Sequence, residues 1–370
     1  MNIGLINIVV VIILAFVFSR SSSEKARKYY IIVTLLFLLV ETSIRSLSVG
    51  SDTPNYYRMF QLAHQDKWTD MWDMFLNTYV YQQLEGDVGF RILQKMLSLF
   101  TDSWPLYVFV VDTLFFIPLG ILLYRYTTNF KQVALGLCFY CALIHVIALS
   151  GGRQLLAMGF GILSFMSLES GNRKRALLYV VIGLTLHKSL LLCVLPIILS
   201  YLRVDTIKKI HAISFLVIPI TILYSNTLIS LMGNAIGSEK YAAYGEGEVA
   251  GGTEVFIFLL ESLSLFFYVA FKKEDLNRNN LLKTLYIMVP LFGIFGPLIY
   301  SNGTMIRISL YFHLYIVLLL PYAVELFFKK NTNAIYTAMI TILFLLVLTG
   351  SGSLKYHTFW EEEQTLFMYD

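Results

Sequence analysis

The stretch IGLINIVVVIILAFVFS, residues 3–19, carries no charged side chain from end to end, and its reading decides the class of the whole chain. It lacks the basic leader and small-residue cleavage pattern of a secretory signal, so it reads as a retained first span. Comparable apolar runs follow near residues 30–48, 104–124, 132–149, 154–169, 176–187, 189–202, 209–231, 254–271, 284–300, 305–328 and 333–350. A hydrocarbon core about 30 Å thick needs about 20 apolar residues of helix to cross it. The expectation is an all-α polytopic integral membrane protein with about 12 transmembrane helices, forming one transmembrane domain over residues 1–370. Composition points the same way. The chain has 370 residues, 57% hydrophobic and only 14% charged, with a mean hydropathy of +0.68, whereas soluble domains are about 25% charged. A water-facing surface cannot be covered with so few charges.

Orientation follows from where the cations fall. Alternate short linkers, at residues 20–28, 125–131, 173–175, 203–209, 272–283 and 329–330, hold 18 of the 28 lysines and arginines. Short cytoplasmic loops carry such an excess, so both termini and the long segments 49–103, 232–253 and 351–370 are expected on the extracytoplasmic side. The runs 176–187 and 189–202 are short, with cations at both outer ends, and so predict a hairpin tipped by His187 and Lys188. The net charge of +4 carries no argument for nucleic acid, and none is expected as a partner. Cys138, Cys141 and Cys193 lie inside apolar runs and read as packing residues. No DxD pair or His/Cys cluster suggests a metal, and no cofactor is expected.

Segment 49–103 predicts two amphipathic helices lying in the membrane plane. Residues 68–81 place Asp70, Asp73 and Asn77 on one face, with Trp68, Trp72, Phe75 and Tyr79 elsewhere. Residues 88–100 place Phe90, Leu93, Leu97 and Phe100 opposite Arg91, Gln94, Lys95 and Ser98.

Ionisable groups at membrane depth are costly unless paired or hydrated, which makes them candidates for function. Arg45, Asp52, Arg153, His187, Lys188 and Arg307 all come to the extracytoplasmic leaflet on this topology. Arginine is the informative type, because its planar fork binds phosphate oxygens in pairs and keeps its charge when desolvated. Arg153 follows Gly151-Gly152 at the start of a predicted helix, where free backbone N–H groups favour anions. The competing reading is that each cation snorkels to lipid headgroups. His211 and His313 look isolated, and His145 lies mid-span without a paired constellation.

The segments SVGSDTPNYYRMF, GDVGFRILQKMLSLF, SGGRQLLAMGFGILSF, GNRKRALLYVVIGLTLHKSLLLCVLPIIL and TMIRISLYF resemble the EpsG family of Wzy-like surface-polysaccharide polymerases. The resemblance covers roughly residues 30–325 and is most specific over Arg153–Ser189. It implies a GT-C-like membrane glycosyltransferase in the bacterial inner membrane. Such an enzyme joins undecaprenyl-diphosphate-linked repeat units into O-antigen or exopolysaccharide on the outer face. A flippase and a chain-length regulator are the partners such an enzyme implies, with membrane lipid around it. The family pattern carries over Asp52, Arg153, Gln154, His187, Ser189 and Arg307; Lys188 departs from it, since a smaller residue is expected between His187 and Ser189. Diphosphate binding falls to Arg153, Arg307 and Arg45, proton acceptance to His187 or Asp52, and no metal is required. The rival readings are a flippase or transporter of the same lipid-linked glycans, a membrane acyltransferase modifying surface sugars, and a structural scaffold.

Overall fold

The computed structural model describes residues 2–81, 86–145, 149–236, 253–300, 303–349 and 356–361. The GEGE stretch around Glu246 and Glu248, with the rest of residues 237–252 of the loop 232–253, lies outside them. Apart from one isolated bridge between Arg45 and Thr358, the regular structure described is helical.

The first of two compact units comprises residues 1–166, 178–191 and 331–370. Its helices begin with α1 (Ile3–Phe18), α2 (Glu24–Ser43), α3 (Thr53–Gln65), α4 (Trp68–Phe75), α5 (Val88–Ser98) and α6 (Trp104–Tyr126). Then come α7 (Phe130–Phe139, prolonged by a wider turn over Tyr140–Ile144), α8 (Gly152–Glu169) and α9 (Arg173–Leu186). The second unit comprises residues 167–177 and 192–330, so the end of α8 and the start of α9 belong to it. It contains α10 (Val194–Leu199), α11 (Val204–Leu223), α12 (Ser225–Ile236), α13 (Thr253–Ala270), α14 (Lys273–Arg278), α15 (Asn280–Phe295), α16 (Ile306–His313) and α17 (Ile316–Phe327). The last helix, α18 (Thr332–Thr349), returns to the first unit.

Among the described residues, five helices are long and apolar enough to cross a bilayer: α6, α11, α13, α15 with its continuation to Tyr300, and α18. The bent pair α16 and α17, which turns by 48°, would make a sixth. Helix α1 and the segments Phe130–Ile144 and Lys188–Leu199 are apolar but shorter. The protein is therefore a polytopic membrane protein. Among the described residues the expected runs fall on helices, yet not each is a full span by itself: α2, for instance, opens with Glu24, Lys25, Arg27 and Lys28 and carries Glu41 within its apolar stretch. The helix breaks at the residues expected to tip the hairpin, for α9 stops at Leu186 and a 3-10 turn starts at Lys188. All three cysteines are buried and free.

Several cations of the expected cytoplasmic linkers have a second use, because they cap helix C-termini, where carbonyls lack partners and the dipole is negative. Arg27 donates to the carbonyls of Tyr124 (3.0 Å) and Thr127 (2.6 Å) at the end of α6. Lys208 donates to Tyr268 (3.2 Å) and Phe271 (2.8 Å) at the end of α13. Arg173 donates to Ser200 beyond α10 at 3.0 and 3.3 Å, and lies over the Tyr201 ring.

Helix α3 starts with Asp52 at its cap and Pro54 in its first turn, where a missing N–H costs nothing. Its Tyr56 and Phe60 join Phe90, Trp104, Tyr107 and Leu186 in one apolar cluster. Helix α5 is buried on both of the faces that periodicity separates: Phe90 joins this cluster with Leu93 and Leu97 packed against it, and the polar face is covered as well. Gln94 is 0% and Lys95 7% exposed, whereas Phe100 is 82% exposed. Side chains on this supposedly outer face reach carbonyls of α3: Arg91 donates to Met59 (2.9 Å), Gln94 to Tyr56 (3.4 Å) and Lys95 to His64 (3.3 Å).

Candidate functional site

Three helix ends meet in the first unit because small residues let them approach. A Cβ on Gly89, in the first turn of α5, would lie 2.8 Å from both Cβ and O of Thr185, so only glycine lets α5 rest on the end of α9. Gly50 adopts φ +91°, and a Cβ there would lie 2.8 Å from the Leu149 carbonyl. Next to it, the hydroxyls of Ser51 and Ser150 are 2.9 Å apart. The loop after α2 is thereby fastened to the loop before α8, with Arg153 in the first turn of α8.

The residue on which these ends converge is Asp87, just ahead of α5. Its Oδ2 accepts from Arg153 Nη1 at 2.9 Å and lies 3.2 Å from His187 Nδ1, while Oδ1 accepts from the Lys188 amide at 3.3 Å. The side chains of Asp87, His187 and Arg153 are 9%, 17% and 23% exposed. Arg153 also lies over the rings of Tyr56 (5.4 Å) and Phe90 (6.0 Å), which shield the charged pair on one side. Its Nε is buried and meets no hydrogen-bond partner among the described residues. Burial by itself would raise the Asp87 carboxyl. The hydrogen bond and charge of His187, the charge of Arg153 and the Lys188 amide outweigh it, and hold Asp87 below the usual carboxylate range.

The other expected residues are distributed as follows. Asp52 caps α3 within the electrostatic field of Arg153. Gln154, buried, follows Arg153 in α8, and Ser189 sits in the 3-10 turn after His187. Lys188 contributes its backbone amide to Asp87. Arg45 is apart from this cluster: it is 2% exposed and pairs with Asp112 of α6 at 3.4 Å, while donating to the Thr42 carbonyl at 2.5 Å. Arg307, half-buried on α16, belongs to the second unit.

Two histidines that look isolated in the sequence have partners. His145 Nε2 lies 3.2 Å from Glu41 Oε1, with Nδ1 3.2 Å from the Tyr140 hydroxyl. His211 bonds Tyr286 (2.7 Å) and Ser264 (2.9 Å). Asp87 is the functional candidate that sequence reasoning passed over. Its signal was present in GDVGF, a carboxylate directly before a helix, but nothing local says that residues 66 and 100 positions away will reach it.

The EpsG family model matches residues 28–359, most of the chain. The chain belongs to the EpsG family. Comparison with curated proteins and with solved structures returns no match. The matched range contains every residue of the Asp87 cluster, so in this EpsG protein the cluster lies within the family's own region.

Gly89 offers a direct check that helix approach builds the cluster. Gly89→Ala forces a methyl against the Thr185 backbone and should move Asp87 off His187, lowering polymer output about tenfold or more in cells while the protein is still inserted. Unchanged output per inserted molecule would show that the α5–α9 approach is not needed.

Proposed function

We propose that this EpsG protein is a polymerase that joins undecaprenyl-diphosphate-linked oligosaccharide repeat units into O-antigen or exopolysaccharide, acting at the extracytoplasmic face of a bacterial inner membrane. Family membership supports a polysaccharide polymerase role. The observation that carries the chemistry is the convergence of Arg153 and His187 on Asp87. A basic fork and an oriented imidazole side by side suit a reaction that must stabilise a departing diphosphate and accept a hydroxyl proton. The segregation of lysine and arginine into alternate linkers supports the outward face.

In the proposed reaction the terminal hydroxyl of one lipid-linked glycan attacks the anomeric carbon of another. A new C–O bond forms as the bond from that carbon to the diphosphate oxygen breaks, and the electron pair leaves with the diphosphate. With Asp87 ionised, His187 keeps its proton on Nδ1 to donate to the carboxylate, which leaves Nε2 to take the proton of the attacking hydroxyl. Arg153 stabilises the charge developing on the leaving diphosphate, without a metal. Trp68 and Trp72 on α4 are 51% and 61% exposed, and in this reading offer stacking faces to the glycan.

The purified full-length chain in liposomes, given undecaprenyl-diphosphate-linked repeat units, should produce a ladder of longer lipid-linked glycans, undiminished in EDTA. A chelator-sensitive ladder restored by Mg²⁺ or Mn²⁺ would count against the metal-free mechanism. Movement of the glycan lipid across the bilayer with no new glycosidic bond would replace the polymerase reading with the flippase one.

A further inference from the structure

The second unit holds a buried polar group that glycosyl transfer does not use. Glu261 lies in the middle of the candidate span α13, and both of its carboxylate oxygens are closed off from solvent, with no hydrogen-bond partner among the described residues. A Cβ placed on Gly293 of α15 would lie 3.5 Å from Ser214 Oγ, 3.5 Å from Ser264 Oγ and 3.6 Å from Glu261 Oε2. Three oxygens from two neighbouring helices thus converge on the bare face of a glycine in a third. The Ser214 hydroxyl donates to the His211 carbonyl at 2.7 Å, which leaves its oxygen able to accept. Ser264 Oγ lies 2.9 Å from His211 Nε2, and His211 Nδ1 lies 2.7 Å from the Tyr286 hydroxyl. Near Gly296, directly after α15, His313 of α16 is 2% exposed, with neither ring nitrogen bonded among the described residues, and its Nε2 lies 3.7 Å from where a Cβ on Gly296 would be.

An isolated carboxylate in the middle of a span is not tolerated as a bare charge, so something must neutralise it. The titratable and charged groups on the elements packed against α13 are Asp205, Lys208, Lys209 and His211 on α11, Lys283 and Tyr286 on α15, Tyr300 in the turn after it, Arg307, Tyr311 and His313 on α16, and Tyr322 and Glu325 on α17. Lys208 is committed to carbonyls at the end of α13. One carboxylate balances one positive charge, and carboxylate with hydroxyl oxygens suits a hard ion. We propose that Glu261, Ser214 and Ser264 form an exchangeable site for one small monovalent cation, a proton or Na⁺. Its occupancy then follows the proton or sodium gradient across the membrane in which the chain lies.

The test is labelling of the full-length protein in detergent with dicyclohexylcarbodiimide, read at Glu261 by mass spectrometry. The reagent reacts with a protonated carboxyl in apolar surroundings: the acid O–H adds across a C=N bond, and the adduct rearranges to a stable N-acylurea. In choline buffer Glu261 should be labelled at neutral pH, with labelling falling about tenfold per pH unit above its midpoint. Slower labelling when Na⁺ replaces choline at equal ionic strength identifies Na⁺ as a second occupant, and no difference identifies the proton alone. Gly293→Ala puts a methyl at ordinary contact distance from all three oxygens, so the chain folds while the nook is filled, and the midpoint should move. Acid-unfolded protein labelled in parallel shows that the peptide is detected. Absence of labelling in choline across about pH 5 to 9 overturns the proposal, as does labelling that ignores pH. An unchanged profile in Gly293→Ala overturns the three-residue site.

Discussion

Arg153→Ala should lower polymer synthesis about a hundredfold, and Arg153→Lys about tenfold. Losing a charge-assisted contact made mainly in the transition state costs on the order of 3 kcal/mol. Lysine keeps the charge but loses the planar fork, which holds Asp87 and in the proposed reaction would hold a diphosphate oxygen as well. A headgroup-gripping arginine would behave differently, because lysine would replace it and alanine would cost little. The measurement is the polymer ladder in cells lacking the native protein, normalised to membrane abundance on blots. Arg58→Ala, at an exposed position of α3, serves as the control. A full-length ladder from normally inserted Arg153→Ala would remove Arg153 from the chemistry.

Asp87→Asn should cost as much, through two partners at once. The amide can no longer balance the Arg153 charge, and it orients His187 less strictly, so turnover should fall about a hundredfold, within the range for losing general-base assistance. Asp87 acts through its neighbours, and that role has its own signature. Combining Asp87→Asn with His187→Asn should lower turnover no further than the worse single change, because the residues work as a unit. Multiplied losses would place Asp87 in a separate, structural role. The pH dependence has a definite sign. A carboxyl held below its ordinary range contributes stabilisation that is complete above the unfolded value of about 3.9 and is lost as pH falls through the lowered folded value. The wild-type cluster should therefore persist down to about pH 4 and come apart only below it. Loss of inserted, active protein already at mildly acidic pH would contradict the ion pairing at Asp87.

The helical membrane class, the turn at His187 and Lys188, the burial of the cysteines and the prominence of Arg153 were all legible in the amino-acid order. Each depends on local properties: the length of an apolar run, a breaker, a charge beside a glycine pair. What tertiary structure alone decided was which polar groups meet. Periodicity correctly grouped Gln94 and Lys95 of α5 on one face but could not tell that carbonyls of α3 would bury that face along with the apolar one. Arg45 was a further candidate for the diphosphate, and only packing of α2 on α6 committed it to Asp112. His145 was indistinguishable from a lone core histidine until Glu41 came within 3.2 Å. Asp87 acquires Arg153 and His187 because Gly89 admits the Thr185 backbone, a contact between elements nearly a hundred residues apart. In an apolar medium a polar side chain must find its partner inside the protein, and that partner is set by which helices pack together, a property that no single segment of sequence contains.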